Sequence, residues 1–94
     1  MDHAQHAVES ATMRFEQDYI IEQFVGLWQS LDLKERKKLA YRIVEQVDGT
    51  VHIKDRKHNI AGEIEPVGDG LLRCRWVRSV SDLKRIRDEA GVVA

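Results

Sequence analysis

Seven basic side chains are candidates for binding phosphate groups. Lysine and arginine neutralise backbone phosphates and release counterions, so clustered bases are typical of nucleic-acid-binding proteins. A net charge of −1 and a pI near 6.4 make nucleic-acid binding the second-ranked functional hypothesis. The candidate residues are Lys34, Lys37, Lys38 and Arg42 in one segment, and Arg73, Arg75 and Arg78 in another.

Two aromatic residues give the other hypothesis, a surface that binds protein. Phe15 and Tyr19 lie four residues apart, on one side of a predicted helix and N-terminal to its densest apolar stretch. If they extend beyond the globule, they form an exposed apolar patch of the kind that marks protein interfaces. We therefore predict that Phe15 and Tyr19 contact a protein partner or a second copy of the chain, as a homodimer.

Residues that could catalyse a reaction or hold a metal are also present, but their placement argues against both roles. Cys74, the only cysteine, alternates with Leu72 and Trp76 on an apolar strand face, where a thiol packs as a small hydrophobic group. His3 and His6 could share one helical turn, but a dedicated metal site needs more converging ligands. We expect no enzymatic activity, no cofactor and no metal.

Length and composition indicate one small domain. With 94 residues, 43% hydrophobic and 33% charged, we expect a single domain over residues 1–94, with residues 1–12 frayed or disordered. No apolar stretch is long enough to span a bilayer, and the N-terminal segment lacks the basic start and apolar run of a signal peptide. These features predict a cytoplasmic protein without membrane contacts.

The first half of the chain has the period of helices. Apolar residues recur at steps of three and four over residues 14–31, which predicts a helix with Phe24 and Trp28 in the core. Asp32, with Glu35 three residues later, is typical of a capping box. The apolar positions that follow predict a second helix that ends at Asp48-Gly49. The short connection predicts an antiparallel αα-hairpin.

The second half changes to period two. Alternating segments predict three strands, in TVHIKD, NIAGEIEP and LLRCRWVR, and then a helix that begins at Ser79 or Ser81 and ends at Gly91. The predicted fold is therefore α+β, in the order α-α-β-β-β-α, with the helices on one face of a three-stranded antiparallel meander.

The turns between these strands also predict how the strands pair, because a slip of one residue would turn every apolar side chain outward. A second hairpin centred on Asp69 gives an outer face that alternates in charge, which partly neutralises the arginines. The predicted neighbours are Glu65 with Arg73, Glu63 with Arg75, Ile64 with Cys74, Gly62 with Trp76, and His52 with Glu63.

Residues 24–53, FVGLWQSLDLKERKKLAYRIVEQVDGTVHI, combine a tryptophan-leucine helix, a short capped turn, a charged L-x-x-x-E-R-x-x-L helix and a valine-rich strand. In this order they resemble a segment near the C-terminal end of large serine recombinases. The resemblance implies an accessory or tail-like module of a phage or mobile element, and no recombinase activity, since the catalytic serine domain has no counterpart here. The matching residues are Trp28, Leu31, Glu35, Arg36, Leu39, Val44 and Val47.

Three functions thus remain open on the sequence, and a small enzyme or ligand-binding protein ranks last among them. The first is a small non-enzymatic protein-interaction or regulatory module that associates with itself through its first helix. The alternative is a nucleic-acid-binding accessory protein that uses the basic second helix or the arginine-rich third strand.

Overall fold

A long helix and a four-stranded sheet form most of the structure. The computed structural model describes the backbone of residues 2–92 and the side chains of residues 16–92. The elements in chain order are α1 (Asp2–Ser30), α2 (Leu33–Arg36), β1 (Tyr41–Glu45), β2 (Val51–Asp55), β3 (Ile60–Gly68), β4 (Leu71–Val77) and α3 (Val80–Ala90). One antiparallel sheet holds the strands in the order β1-β2-β3-β4. The fold is therefore α+β, as predicted, with one strand more than expected.

The predicted second helix is wrong over most of its length. Asp32 does cap a helix, since its carboxylate accepts a hydrogen bond of 2.8 Å from the backbone N–H of Glu35. That helix, α2, ends at Arg36, and β1 follows at Tyr41. Tyrosine and β-branched residues favour a pleated strand, and Tyr41 is almost fully buried. The αα-hairpin is therefore replaced by a fourth strand.

The turn at Asp48-Gly49 joins β1 to β2 and does not end a helix. Gly49 has a φ of 92°, a conformation that glycine adopts without steric cost. The Asp48 carboxylate accepts hydrogen bonds from the N–H of Thr50 at 3.0 Å and from its hydroxyl at 2.6 Å. The three predicted strands are confirmed as β2, β3 and β4.

Both long helices pack on the same face of the sheet and form the core with it. The buried side chains of that face meet apolar residues that α1 and α3 turn toward the sheet, so one hydrophobic cluster holds the helices and the sheet together. Phe24 is fully buried, as predicted, whereas Trp28 is only half-buried. The core consists of Ile20, Ile21, Phe24, Val25, Tyr41, Ile53, Ala61, Ile64, Cys74, Leu83 and Ile86.

A β-bulge in β4 changes part of the predicted register. The pairs Ile64 with Cys74, Glu65 with Arg73 and His52 with Glu63 are confirmed. Beyond Cys74, however, the register shifts by one residue. The shift pairs Glu63 with Trp76 and Gly62 with Val77.

The bulge moves Trp76 to the opposite face of the sheet from the predicted one. Trp76 is 40% exposed and shares its face with Glu63, so the predicted pairing of Gly62 with Trp76 is wrong. At Gly62 a Cβ atom would lie 2.9 Å from the carbonyl oxygen of Trp76, which is why a glycine is required there.

Carboxylates from both helices bind backbone donors of the two edge strands. Asp18 of α1 accepts a hydrogen bond of 2.8 Å from the N–H of Cys74 in β4. Glu89 of α3 accepts bonds from the N–H groups of Ala40 and Tyr41, at 2.8 and 3.2 Å, where β1 begins. Covered edge donors limit pairing with strands of other chains.

The prediction for the C-terminal helix is confirmed, whereas the prediction for the N-terminal residues stays open. Ser79 caps α3, and Gly91, with a φ of 73°, ends it. Helix α1 begins at Asp2, while the side chains of residues 1–12 lie outside the described part, so their fraying stays a prediction. Within the described residues, no helix is long and apolar enough to cross a membrane.

Candidate nucleic-acid interface

The face of the sheet that the helices leave uncovered carries most of the chemistry. We call this surface the open face. Alternate strand residues point to it, and the described part of the chain places no helix over it. It is formed by Arg42, Val44, His52, Lys54, Ile60, Glu63, Glu65, Arg73, Arg75 and Trp76.

Arg42 and Lys54 stand side by side on the open face. They are direct cross-strand partners of β1 and β2, so two positive charges meet at neighbouring positions. Like charges directly opposite each other destabilise a sheet by roughly 0.2–1 kcal/mol. Among the described residues neither side chain forms an ion pair. The fold therefore tolerates an unfavourable pair whose charge faces solvent.

The acidic residue at the centre of the open face is already paired. Glu63 lies 3.6 Å from His52 Nε2 and 3.3 Å from Arg75 Nε, and its side chain is only 13% exposed. His52 Nδ1 is buried and has no hydrogen-bond partner among the described residues. Glu65 stands opposite Arg73. With Glu63 beside Arg75 and Glu65 opposite Arg73, the net charge of this face is positive, and the excess comes from Arg42 and Lys54.

Apolar side chains lie among these charges. Trp76 is 40% exposed and Ile60 39% exposed, although both residue types are usually more buried. Ile60 pairs with Lys54, so the apolar and basic groups are neighbours. An exposed indole on a face that also carries cationic side chains can stack on a planar ligand while the cations bind its charge.

The structure separates the seven predicted basic residues into three groups. Arg42, Arg73 and Arg75 lie on the open face. Three lysines, Lys34, Lys37 and Lys38, are exposed on α2 and on the turn after it.

Arg78, the seventh predicted residue, is committed to internal ion pairs. Its Nε lies 3.0 Å from Asp82 Oδ2, and its Nη2 lies 3.2 Å from Asp55 Oδ2. These hydrogen bonds raise the pKa of Arg78 and lower the pKa of Asp82 to about 2, against the opposing effect of burial on the carboxylate. Asp82 also accepts a hydrogen bond of 2.7 Å from the Tyr41 hydroxyl, and burial with this bond raises the pKa of Tyr41 to about 12. Arg78 thus stabilises the fold.

Four further basic residues, which are not among the seven predicted ones, also lie on the open face or in a pocket. Lys54 lies on the open face, and Arg56, Lys57 and Arg85 line a pocket of about 410 Å³ where the sheet meets α3. We call it the basic pocket. Strand parity alone places Lys54 on the same face as His52, but the meeting of a turn with a helix far along the chain leaves no signal in the sequence.

The remaining predictions concern Cys74, the aromatic pair Phe15 and Tyr19, and metal binding. Cys74 is buried, and burial raises the pKa of its thiol to about 11, so it is a core residue, as predicted. Tyr19 is 51% exposed on α1, while the side chain of Phe15 lies outside the described part. Among the described residues, no group of three or more acidic, histidine or cysteine side chains could hold a metal.

A second pocket, of about 320 Å³, lies at the opposite end of the helix-covered face. Val25, Ile43 and Leu72 line it, and the guanidinium of Arg36 sits 4.7 Å above the ring of Trp28 at its wall. This cation–π contact, together with a hydrogen bond of 2.8 Å from Arg36 Nε to the carbonyl of Trp28, ties α2 to α1.

Comparison with known proteins found no matching family model, no matching curated protein and no matching solved structure. The resemblance of residues 24–53 to serine recombinases stays a prediction. Function is therefore inferred from the geometry of the open face and of the basic pocket.

Proposed function

We propose that this domain binds nucleic acid on the open face of its sheet. The observation that carries the proposal is the cross-strand pair Arg42 and Lys54, two uncompensated positive charges in direct register. A repulsive pair weakens the fold. Binding of a polyanion would relieve the repulsion, because phosphates between the two side chains attract both of them.

The proposed ligand is a single strand and not a duplex. Arg42, Lys54 and Arg73 would contact backbone phosphates, and the exposed indole of Trp76 would stack on a base. Bases are accessible for stacking in single strands, whereas a duplex hides their faces. Stacking is tolerant of sequence, so we expect affinity with little base preference.

The distribution of charge along the chain supports the proposal despite the net charge of −1. All basic residues except Arg14 follow residue 33, whereas the acids of the first 33 residues precede the sheet. Local charge, and not the total, sets the potential that a ligand meets at a surface. The exposed bases Lys34, Lys37 and Lys38 add positive charge next to the start of β1.

The test is the anisotropy of fluorescent single-stranded oligonucleotides titrated with the protein at several salt concentrations. We expect binding at about 50 mM salt that weakens steeply as salt rises, because released counterions supply the affinity. The variant Arg42→Glu with Lys54→Glu should abolish it. A matched control is Lys84→Glu with Arg87→Glu on α3, which changes charge equally away from the open face and should lower the affinity far less.

Protein binding through α1 is the second candidate, and the exposure of Tyr19 favours it. A half-exposed tyrosine on a long helix can anchor a partner or a second copy of the chain, with Phe15 as its predicted neighbour. Light scattering behind size exclusion tests self-association. A dimer that becomes a monomer in the variant Tyr19→Ala would support this candidate, and a monomeric native protein would exclude self-association.

A further inference from the structure

The basic pocket lies on the opposite side of the sheet from the open face. It is lined by Tyr41 at the start of β1, by Asp55 at the end of β2 and by Arg85 of α3. The turn after β2 supplies Arg56 and Lys57. Its volume of about 410 Å³ lies within the range of about 300–1,000 Å³ that small-molecule sites occupy.

The carboxylates near this pocket are saturated by the protein itself. Oδ1 of Asp55 accepts hydrogen bonds from the backbone N–H groups of Lys57 and Asn59, at 2.9 and 3.0 Å, and Oδ2 pairs with Arg78. Asp82 accepts bonds from Arg78, from the Ser79 hydroxyl and from Tyr41. The two carboxylates therefore hold the site in shape, and Arg78 shields them from an incoming anion.

Within the described part of the chain, the remaining bases of the pocket have no carboxylate partner. Lys57 and Arg85 form no ion pair with any other described residue. Arg56 Nη2 donates a hydrogen bond of 3.1 Å to the backbone carbonyl of Lys38, which fixes one edge of the guanidinium and leaves its other donors free. A fixed guanidinium binds the oxygens of a phosphate with little loss of side-chain entropy.

We infer that the basic pocket binds a phosphate monoester group through Arg56, Lys57 and Arg85. Three unpaired cations around one concave site suit the dianionic form of such a group better than a singly charged carboxylate. The group could belong to a small phosphate compound or to the terminal phosphate of a nucleic-acid strand. The inference does not depend on the proposed function, because the pocket and the open face use different residues.

Two titrations test the inference, and circular dichroism confirms that each variant is folded. In the first, isothermal calorimetry with inorganic phosphate should show saturable binding to the native protein. In the second, anisotropy compares two oligonucleotides of one sequence, with and without a terminal phosphate. Arg85→Gln and Lys57→Gln should each weaken phosphate binding about tenfold or more, since a charge-assisted hydrogen bond is lost. The control Lys84→Gln, on an exposed position of α3, should leave it unchanged.

The outcomes separate this inference from the proposed function. Saturable phosphate binding that Arg85→Gln removes supports the pocket, and a tighter complex with the phosphorylated strand alone identifies the strand terminus as its source. Saturation by phosphate without any binding of oligonucleotides supports the pocket and contradicts the proposed function. Equal affinity for both oligonucleotides, with no saturable phosphate binding, overturns the inference and leaves the proposed function standing.

Discussion

Arg42 and Lys54 are register partners in adjacent strands, and both extend from the face of the sheet that no described helix covers. The pair opposes folding, because like charges at directly opposite strand positions repel each other. The pair therefore weakens a small domain and increases the positive potential of one face.

Removing one charge of this pair should stabilise the fold and weaken binding together. We expect Lys54→Thr to raise the free energy of unfolding by about 0.2–1 kcal/mol, since the repulsion is lost and threonine favours strands. The same variant should lower oligonucleotide affinity. Chemical denaturation and anisotropy measure the two effects.

The matched control for Lys54→Thr is Arg73→Thr on the same face. Arg73 stands opposite Glu65, so this variant removes an attractive pair and should lower the free energy of unfolding slightly. Both variants should weaken nucleic-acid binding. If Lys54→Thr instead destabilises the protein as much as Arg73→Thr does, the repulsion inferred for the Arg42–Lys54 pair is absent.

Trp76 should contribute to binding much more than to folding. We expect Trp76→Ala to lose about 1–3 kcal/mol of oligonucleotide binding, the range measured for base–aromatic stacking. Trp76→Phe keeps a ring and should lose less. Unchanged affinity in Trp76→Ala would show that the indole does not stack on a base.

The way in which Trp76 reaches the open face explains where sequence reasoning fails. Strict alternation assigns Trp76 to the core, but one extra residue at the bulge reverses its direction, and no side-chain pattern records a bulge. Gly62 is paired with Trp76 by the same alternation. Its true constraint is the carbonyl of Trp76, which lies too close for a Cβ atom.

Gly62 and Gly26 should respond in opposite directions to the same change. Gly62→Ala places a methyl group 2.9 Å from a backbone oxygen, so the sheet must distort and unfolding should become easier by about 1–3 kcal/mol. At Gly26, in α1, a Cβ atom would meet nothing within 4 Å. Gly26→Ala should therefore stabilise the protein by about 0.5–1 kcal/mol. Thermal unfolding of the two variants tests both expectations. A Gly62→Ala variant more stable than the native protein would contradict the bulge in β4.

Much of the fold is predictable because its signals are local. The alternation of three strands, the cap at Asp32 and the helix between Ser79 and Gly91 all appear in short windows of sequence. The fourth strand does not, because its apolar residues also fit a helical period, and Asp48-Gly49 ends a helix as well as it turns a hairpin. Tyr41 is buried against α3, which favours a strand over a helix in this segment. Only the tertiary structure shows that contact.

Asp82 should make the stability of the protein depend on acidic pH. The pKa of its carboxyl lies at about 2 in the folded protein, below the ordinary value of 3.8, mainly because Arg78 donates hydrogen bonds to it. A lowered pKa stabilises the fold fully above the ordinary value, and that contribution is lost as the pH falls from about 4 toward 2. Denaturation at several pH values should show this loss.

The variant Asp82→Asn should remove this pH-dependent contribution and lower the free energy of unfolding at neutral pH by about 1–3 kcal/mol, since buried donors lose a charged acceptor. Asp88→Asn on the exposed side of α3 is the control and should change it by less than about 0.5 kcal/mol. A native protein and an Asp82→Asn variant that lose stability in parallel below pH 4 would rule out this role for Asp82.

The chain's two tryptophans allow the most direct test of the open face. Trp76 lies on that face, and Trp28 lies beside Arg36 at the far end of the helix-covered side, so each indole N–H signal in an NMR spectrum reports on one location. The measurement is a titration with a single-stranded oligonucleotide at low salt. We predict that the Trp76 signal shifts with saturation while the Trp28 signal stays in place. A shift confined to Trp28, or no shift of either signal, would contradict nucleic-acid binding on the open face.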